Sequence, residues 1–69
     1  MKVSARNSLK AKIKAIIPGS VNYEVILEIL PGVEVTSIIT KDAVESLNLK
    51  EGQDAYALVK SSDVMIGVD

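Results

Sequence analysis

Apolar and polar residues alternate near the start of this chain. The polar residues Ser8, Lys10, Lys12 and Lys14 occupy even-numbered positions. The odd-numbered positions are all aliphatic: Leu9, Ala11, Ile13, Ala15 and Ile17. A period of two places successive side chains on opposite faces of a β-strand. We therefore expect a first strand with one face in a core and a lysine-bearing face in solvent.

Turn residues divide the sequence that follows into further strands. Pro18-Gly19-Ser20 and Pro31-Gly32 bound a second strand, predicted from about residue 21 to residue 30. The next stretch is rich in β-branched residues and predicts a third strand over residues 33–40. Two more strands are predicted downstream, over residues 56–60 and 64–68.

The period changes to that of a helix after Thr40. Apolar residues between positions 41 and 49 follow a helical spacing, and Thr40 is the expected N-cap. Asp42 and Glu45 favour the positive end of the helix dipole. The predicted order is therefore β-β-β-α-β-β in a single domain over residues 1–69, all-β with one short helix.

This element order is typical of an OB-like five-stranded β-barrel, with the helix closing one barrel end. An SH3-like barrel or an open sheet with a lone helical turn is the alternative. The chain has 69 residues, of which 48% are hydrophobic, yet only two are aromatic. So much aliphatic surface exceeds what one small core hides, and self-association is expected.

Composition also limits the function. The chain contains neither Cys nor His, which excludes disulfides and zinc sites, and its net charge of −1 provides no general attraction for nucleic acid or membrane. No apolar run is long enough to span a bilayer and no signal peptide is visible, so a cytoplasmic protein is expected. A Ser-Lys catalytic pair at Lys60 and Ser61 is disfavoured because neighbouring strand residues point to opposite faces.

Two polar segments near opposite ends of the chain combine a cation with hydroxyl groups. Ser4-Ala5-Arg6-Asn7 precedes the first strand, and Lys60-Ser61-Ser62 follows the fourth. A tetrahedral oxyanion only accepts hydrogen bonds and pairs best with charged donors. Thr40 adds the free N–H groups of a helix start. A purely structural interpretation is equally open: the first segment caps a strand, its arginine pairs with a carboxylate, and Thr40 is only an N-cap.

The residues that carry a family resemblance run nearly from end to end of the chain. They are Ser4-Ala5-Arg6-Asn7 with Leu9, then residues 33–40 (VEVTSIIT), then Leu49-Lys50-Glu51-Gly52, and finally Val59-Lys60-Ser61-Ser62-Asp63-Val64-Met65. In this combination they resemble the molbindins, the single-domain Mop proteins that bind molybdate and tungstate.

That resemblance implies an OB-like barrel assembled as a hexamer, a trimer of dimers, with oxyanions at subunit interfaces. By matching position, the main site would comprise Ser4, the backbone of Ala5, Arg6, Thr40, Lys60 and Ser61. A second oxyanion site near the threefold axis is implied as well, with Ser20, Val21 and Asn22 as its candidate residues.

The chain is accordingly predicted to bind molybdate or tungstate for intracellular storage or homeostasis. No catalysis, no catalytic cofactor and no site for a bare metal cation are expected. An OB-type nucleic-acid-binding module is the first alternative, although such modules use aromatic stacking platforms and this chain has only Tyr23 and Tyr56. An oligomerisation module without a ligand is the second.

Overall fold

A computed structural model describes Ser4 and residues 6–69. Within these residues the chain forms four antiparallel strands, one short helix and one 3₁₀ turn: β1 (Asn7–Ile17), β2 (Asn22–Leu30), β3 (Val33–Thr40), α1 (Lys41–Ser46), β4 (Asp54–Val59) and the turn Ser61–Asp63. The strands form one sheet in the order β3-β2-β1-β4. The first three strands are a meander, and α1 returns the chain so that β4 pairs with β1. The sheet curls into a half-barrel whose edges are β3 and β4.

The core lies on the concave face of this half-barrel. Its buried residues are small or aliphatic: Ala11, Ile13, Val25, Leu27, Val44 and Ala57. Ile13, only 1% exposed, is at the centre. Val44 is the buried residue of α1, so the helix covers part of the core, as its sequence spacing predicts.

A β-bulge at Lys14 changes the face of the last residues of β1. Ile13 pairs with Leu27, but Ala15, and not Lys14, pairs with the next residue of β2, Ile26. The extra residue turns Ile16 inward, where it packs against the core, and leaves Ile17 48% exposed. The prediction that Ala15 and Ile17 share the core face with Ile13 is therefore wrong, because simple alternation assumes an unbroken ladder.

Charged side chains on the convex face pair across strands. Glu28 of β2 and Glu34 of β3 lie directly opposite each other, which by itself would be repulsive. The Nζ atom of Lys14 donates a hydrogen bond to Glu34 and lies 4.0 Å from a carboxylate oxygen of Glu28. The hydrogen bond and charge of Glu34, helped by the charge of Glu28, raise the pKa of Lys14. Lys14 therefore offsets the repulsion between the two carboxylates that the strand register places opposite each other.

The predicted fifth strand over residues 64–68 is wrong for this chain by itself. After the 3₁₀ turn, residues 64–69 have no regular secondary structure and pair with neither edge of the sheet. Their side chains are highly exposed, with Met65 and Ile66 each 92% accessible. A strand needs a neighbour for its backbone hydrogen bonds, and within the described residues this segment has none. The five-stranded barrel is thus a four-stranded half-barrel.

The helix is shorter than predicted and the fourth strand is shifted. α1 ends at Ser46 because Asn48 adopts the left-handed conformation, with φ of 53°, in which a short polar side chain is tolerated. The backbone N–H of Leu49 then donates to the carbonyl oxygen of Val44 over 3.1 Å, which closes the helix end. β4 begins two residues before its predicted start and ends one residue earlier. In the part of the chain that the structure describes, no helix has the length and apolarity to cross a bilayer.

Candidate functional site

The pairing of β1 with β4 joins the two polar segments that the sequence singled out. Asn7, the first residue of β1, pairs with Val59, the last residue of β4. The side-chain Nδ2 of Asn7 also donates a hydrogen bond to the carbonyl oxygen of Val59 over 3.2 Å. In this antiparallel register, the next positions outward are Arg6 on one strand and Lys60 on the other. Residues far apart in sequence therefore meet at one end of the sheet.

The 3₁₀ turn holds Lys60 and Ser61 in defined backbone positions. The carbonyl oxygen of Lys60 accepts a hydrogen bond from the Asp63 N–H over 2.9 Å, and Lys60 itself is extended. The first N–H groups of a helical turn have no partner within the turn. The N–H groups of Ser61 and Ser62 therefore add to the donors at this end of the sheet.

The register brings the backbone positions of Arg6 and Lys60 to the same end of the sheet. We name these two cations, together with the predicted site residues Ser4 and Ser61, the β1–β4 cluster. All four are exposed. Within the described residues, the ion pairs are made by Lys12 and Lys14, and neither Arg6 nor Lys60 takes part in one. The structural interpretation of Arg6 as the partner of a carboxylate is not found in this part of the chain. Ala5, whose backbone belongs to the predicted site, lies outside the described residues.

Thr40 is an N-cap, as its sequence position predicts. Its Oγ1 atom accepts a hydrogen bond from the Ala43 N–H over 3.1 Å, and its backbone is extended. The cap uses the oxygen as an acceptor and leaves the hydroxyl hydrogen free to be donated. Capping and anion binding are therefore compatible roles for Thr40.

The structure places Thr40 beside the turn predicted as a second oxyanion site. Asn22 pairs with Thr40, and the Lys41 N–H donates to the carbonyl oxygen of Val21 over 3.4 Å. A Cβ atom on Gly19 would lie 2.3 Å from the Asn22 carbonyl oxygen, so this turn closes tightly only with glycine. We name this group the β2–β3 cluster: Ser20, Val21, Asn22, Thr40 and Lys41.

The two clusters lie at opposite ends of the strands within one protomer. Arg6 precedes the first residue of β1. Thr40 ends β3 and pairs with Asn22 of β2, beyond Glu24, which pairs with the last residue of β1. One copy of the chain therefore does not bring Thr40 to Arg6 and Lys60. Lys41 is a further cation beside the turn that precedes β2, and it was not among the predicted site residues. Its position directly after the N-cap Thr40 could have indicated it.

The concave groove between the sheet edges has the wrong lining for an oxyanion. It encloses about 400 Å³ and is lined mainly by aliphatic residues of all four strands and the helix connection. The two tyrosines do not form a stacking platform either. Tyr23 packs against the core from β2, and Tyr56 lies 53% exposed on β4, two strands away. This separation disfavours the nucleic-acid alternative.

Known proteins are similar to this chain over nearly its whole length. The TOBE domain family matches residues 3–66. Molybdenum-pterin-binding protein 3 of Clostridium pasteurianum is 53% identical over 66 residues, which are 96% of this chain and 97% of that protein.

Two solved structures share the fold along the whole chain. A molybdate binding protein from Sporomusa ovata superimposes with a TM-score of 0.90 at 35% identity, covering 99% of this chain and 100% of that one. The cytoplasmic molybdate-binding protein ModG, solved with molybdate bound, gives 0.91 at 46% identity, covering 100% of this chain and 49% of that one. The match in sequence and fold is nearly end to end, and this chain therefore belongs to the TOBE-domain family, among its molybdenum-pterin-binding (Mop) proteins, the molbindins.

Proposed function

We propose that this chain binds molybdate, and tungstate as its close analogue, for storage or homeostasis in the cytoplasm, without catalysing a reaction. The pairing of Asn7 with Val59 carries this proposal, because it sets two cations, Arg6 and Lys60, at the ends of adjacent strands. The relatives with the same fold are named for molybdate or molybdenum-pterin binding, which supports molybdate as the anion. ModG is described as cytoplasmic, which supports the location.

The β1–β4 cluster has the chemistry that a tetrahedral dianion requires. Its two cations neutralise the charge, and its hydroxyl and N–H groups donate hydrogen bonds to oxygens that only accept them. Each such bond to a charged partner contributes roughly 1.5–3 kcal/mol. A cage of donors repels metal cations and selects anions by size. Molybdate and tungstate are alike in size, whereas sulfate is smaller and would fit loosely.

A complete site that includes Thr40 requires two copies of the chain. Because the β1–β4 cluster and the β2–β3 cluster lie at opposite strand ends, one copy supplies Arg6 and Lys60 and another supplies Thr40. The anion would then lie at a subunit interface and hold the two copies together. Ser20, Val21 and Asn22 remain the candidates for the second oxyanion site, adjacent to the same Thr40.

The half-barrel and its last residues supply a reason for association. Among the described residues, the outer edges of β3 and β4 carry no paired strand, and the cleft between them is lined by residues of both, including Ser37 and Leu58. Residues 64–68 are apolar and exposed, and within the described residues they pair with no strand. The same segment of a second copy, pairing with these edges, would close the barrel and bury it. We place this contact in a homo-oligomer, a hexamer built as a trimer of dimers.

Isothermal titration calorimetry with molybdate, tungstate and sulfate tests the proposed function. We expect saturable heat for molybdate and tungstate and little for sulfate. The Arg6→Ala variant should bind molybdate roughly 10- to 150-fold more weakly, the loss of one charge-assisted hydrogen bond. Lys10→Ala is the matched control, since it removes an exposed cation from β1 outside the cluster and should bind normally.

Two results of the same titration would contradict the proposal. Wild-type protein that gives no heat with molybdate at millimolar anion would remove the function itself. Equal affinity in wild type and Arg6→Ala would leave the function standing but exclude Arg6 from the site. Circular dichroism of each variant establishes that the sheet is intact before affinities are compared.

A further inference from the structure

One side chain connects the beginning of β1 to the end of β4. The Nδ2 atom of Asn7 donates a hydrogen bond over 3.2 Å to the carbonyl oxygen of Val59, which lies 52 positions further along the chain. The other side-chain hydrogen bonds among the described residues join two side chains or involve α1 and the loop after it. In this part of the chain, the bond of Asn7 alone runs from the side chain of one strand to the backbone of another.

This hydrogen bond lies at the last pair of the β1–β4 ladder. Asn7 and Val59 are partners in the register, and Arg6 and Lys60 lie just outside the two strands. The end of a ladder opens more easily than its middle, because the last pair is supported from one side only. A side-chain hydrogen bond at this pair adds to the backbone pairing where opening would begin. Asn7 therefore opposes fraying at the point where the two cations leave the sheet.

The two bonded groups are directly adjacent to the two cations. Asn7 follows Arg6 in the chain. The carbonyl of Val59 and the N–H of Lys60 belong to one planar peptide group, so a bond that holds the carbonyl also restrains the direction in which Lys60 leaves β4. Lys60 is extended there, with φ of −63° and ψ of 140°, before the 3₁₀ turn begins. The contact thus restrains the backbone from which both cationic side chains extend.

We propose that Asn7 is a positioning residue of the oxyanion site and determines how well the site distinguishes molybdate from sulfate. The inference rests on the proposed function and adds a residue that was not among the predicted site residues. Arg6 and Lys60 make no ion pair within the described residues, so the backbone sets the distance between them.

A fixed distance between two cations selects an anion by size. When both strand ends are held, an anion of matching size contacts both cations, and a smaller anion contacts them less well. When the strand ends move independently, the cations approach either anion. Loss of the Asn7 hydrogen bond should therefore weaken the binding of molybdate more than that of sulfate.

Calorimetry with molybdate, and with sulfate as its competitor, tests this role of Asn7. Asn7→Ala removes the donor and should weaken molybdate binding roughly 3- to 10-fold, the net contribution of one hydrogen bond. Sulfate affinity should stay nearly constant, so the ratio of the two affinities falls. Asn7→Gln keeps an amide donor on a longer side chain and should bind molybdate more tightly than Asn7→Ala. Ser8→Ala is the matched control, since it removes an exposed polar side chain from the next residue of β1 and should retain both affinities.

Two results would overturn the role of Asn7. One is an Asn7→Ala variant with wild-type affinity for both anions. The other is an equal loss of affinity for both anions, because the contact would then support the fold and not the selection by size. Circular dichroism establishes that the sheet of each variant is intact. Failure of the proposed function is a separate outcome, since wild-type protein that gives no heat with molybdate removes the site and this inference with it.

Discussion

The middle of β1 and residues 64–69 have similar side chains and opposite environments. Ile13 is 1% exposed because β2, β4 and α1 cover it, whereas Ile66 is 92% exposed because no described part of its own chain covers it. Both segments are aliphatic, and both were predicted as strands. The difference teaches that alternating apolar residues identify side chains that are to be buried. The alternation does not say whether the same chain or another copy buries them.

Truncation at the centre of the core should have the largest effect. Ile13→Ala removes a fully buried side chain and should lower the free energy of unfolding by roughly 2–5 kcal/mol, independent of protein concentration. Chemical denaturation followed by circular dichroism measures this loss, with Lys10→Ala as the control on the exposed face. A loss below about 1 kcal/mol would mean that the half-barrel core collapses readily around the gap, and the contrast with residues 64–69 would weaken.

The same substitution in the exposed segment should act on association. Ile66→Ala leaves a protomer's own contacts unchanged, so its effect should appear only where copies meet. Burial of such a side chain is worth roughly 1.5–3 kcal/mol, so the dissociation constant of the assembly should rise about 10- to 150-fold. Analytical ultracentrifugation over a range of concentrations measures it. Unchanged dissociation would show that residue 66 stays in solvent in the assembly.

The smallest expected effect concerns the convex face of the same strand. Contact with Glu34 and Glu28 raises the pKa of Lys14 above its ordinary value of 10.5. Its contribution to stability is therefore complete below pH 10.5 and is lost as the pH rises through the raised pKa. Lys14→Met should be less stable than wild type at about pH 8, and the gap in denaturant midpoint should shrink towards about pH 11. A gap that stays constant would assign the effect to the bulge geometry rather than to charge.

Local signals in the sequence account for most of the fold. Alternation and turn residues identified β1, β2 and β3 closely, and Thr40 is the N-cap that its position predicted. Two features of the fold were not predicted from the sequence. The bulge at Lys14 is a shift in the pairing of β1 with β2, and the missing fifth strand depends on which neighbours its segment has. Both are set by pairing between distant residues, which periodicity does not contain.

The candidate site also has one part that the sequence predicted and one part that it did not. The resemblance selected Arg6 and Lys60 from opposite ends of the sequence, and the β1–β4 register brings them to one end of the sheet. Thr40 was assigned to the same site and lies beside Asn22 instead. A sequence assigns a residue to a site without saying which copy of the chain supplies it, and that ambiguity is specific to sites shared between copies.

The pairing of β1 with β4 also predicts an order of events when the chain folds. β1, β2 and β3 are joined by short turns and can form as hairpins, whereas β4 must close a loop of more than 40 residues to reach β1. Such closure costs chain entropy, so we expect β4 to dock last. Arg6 and Lys60 meet only after that step. An anion that binds there therefore stabilises the folded state by mass action and does not speed the docking of β4.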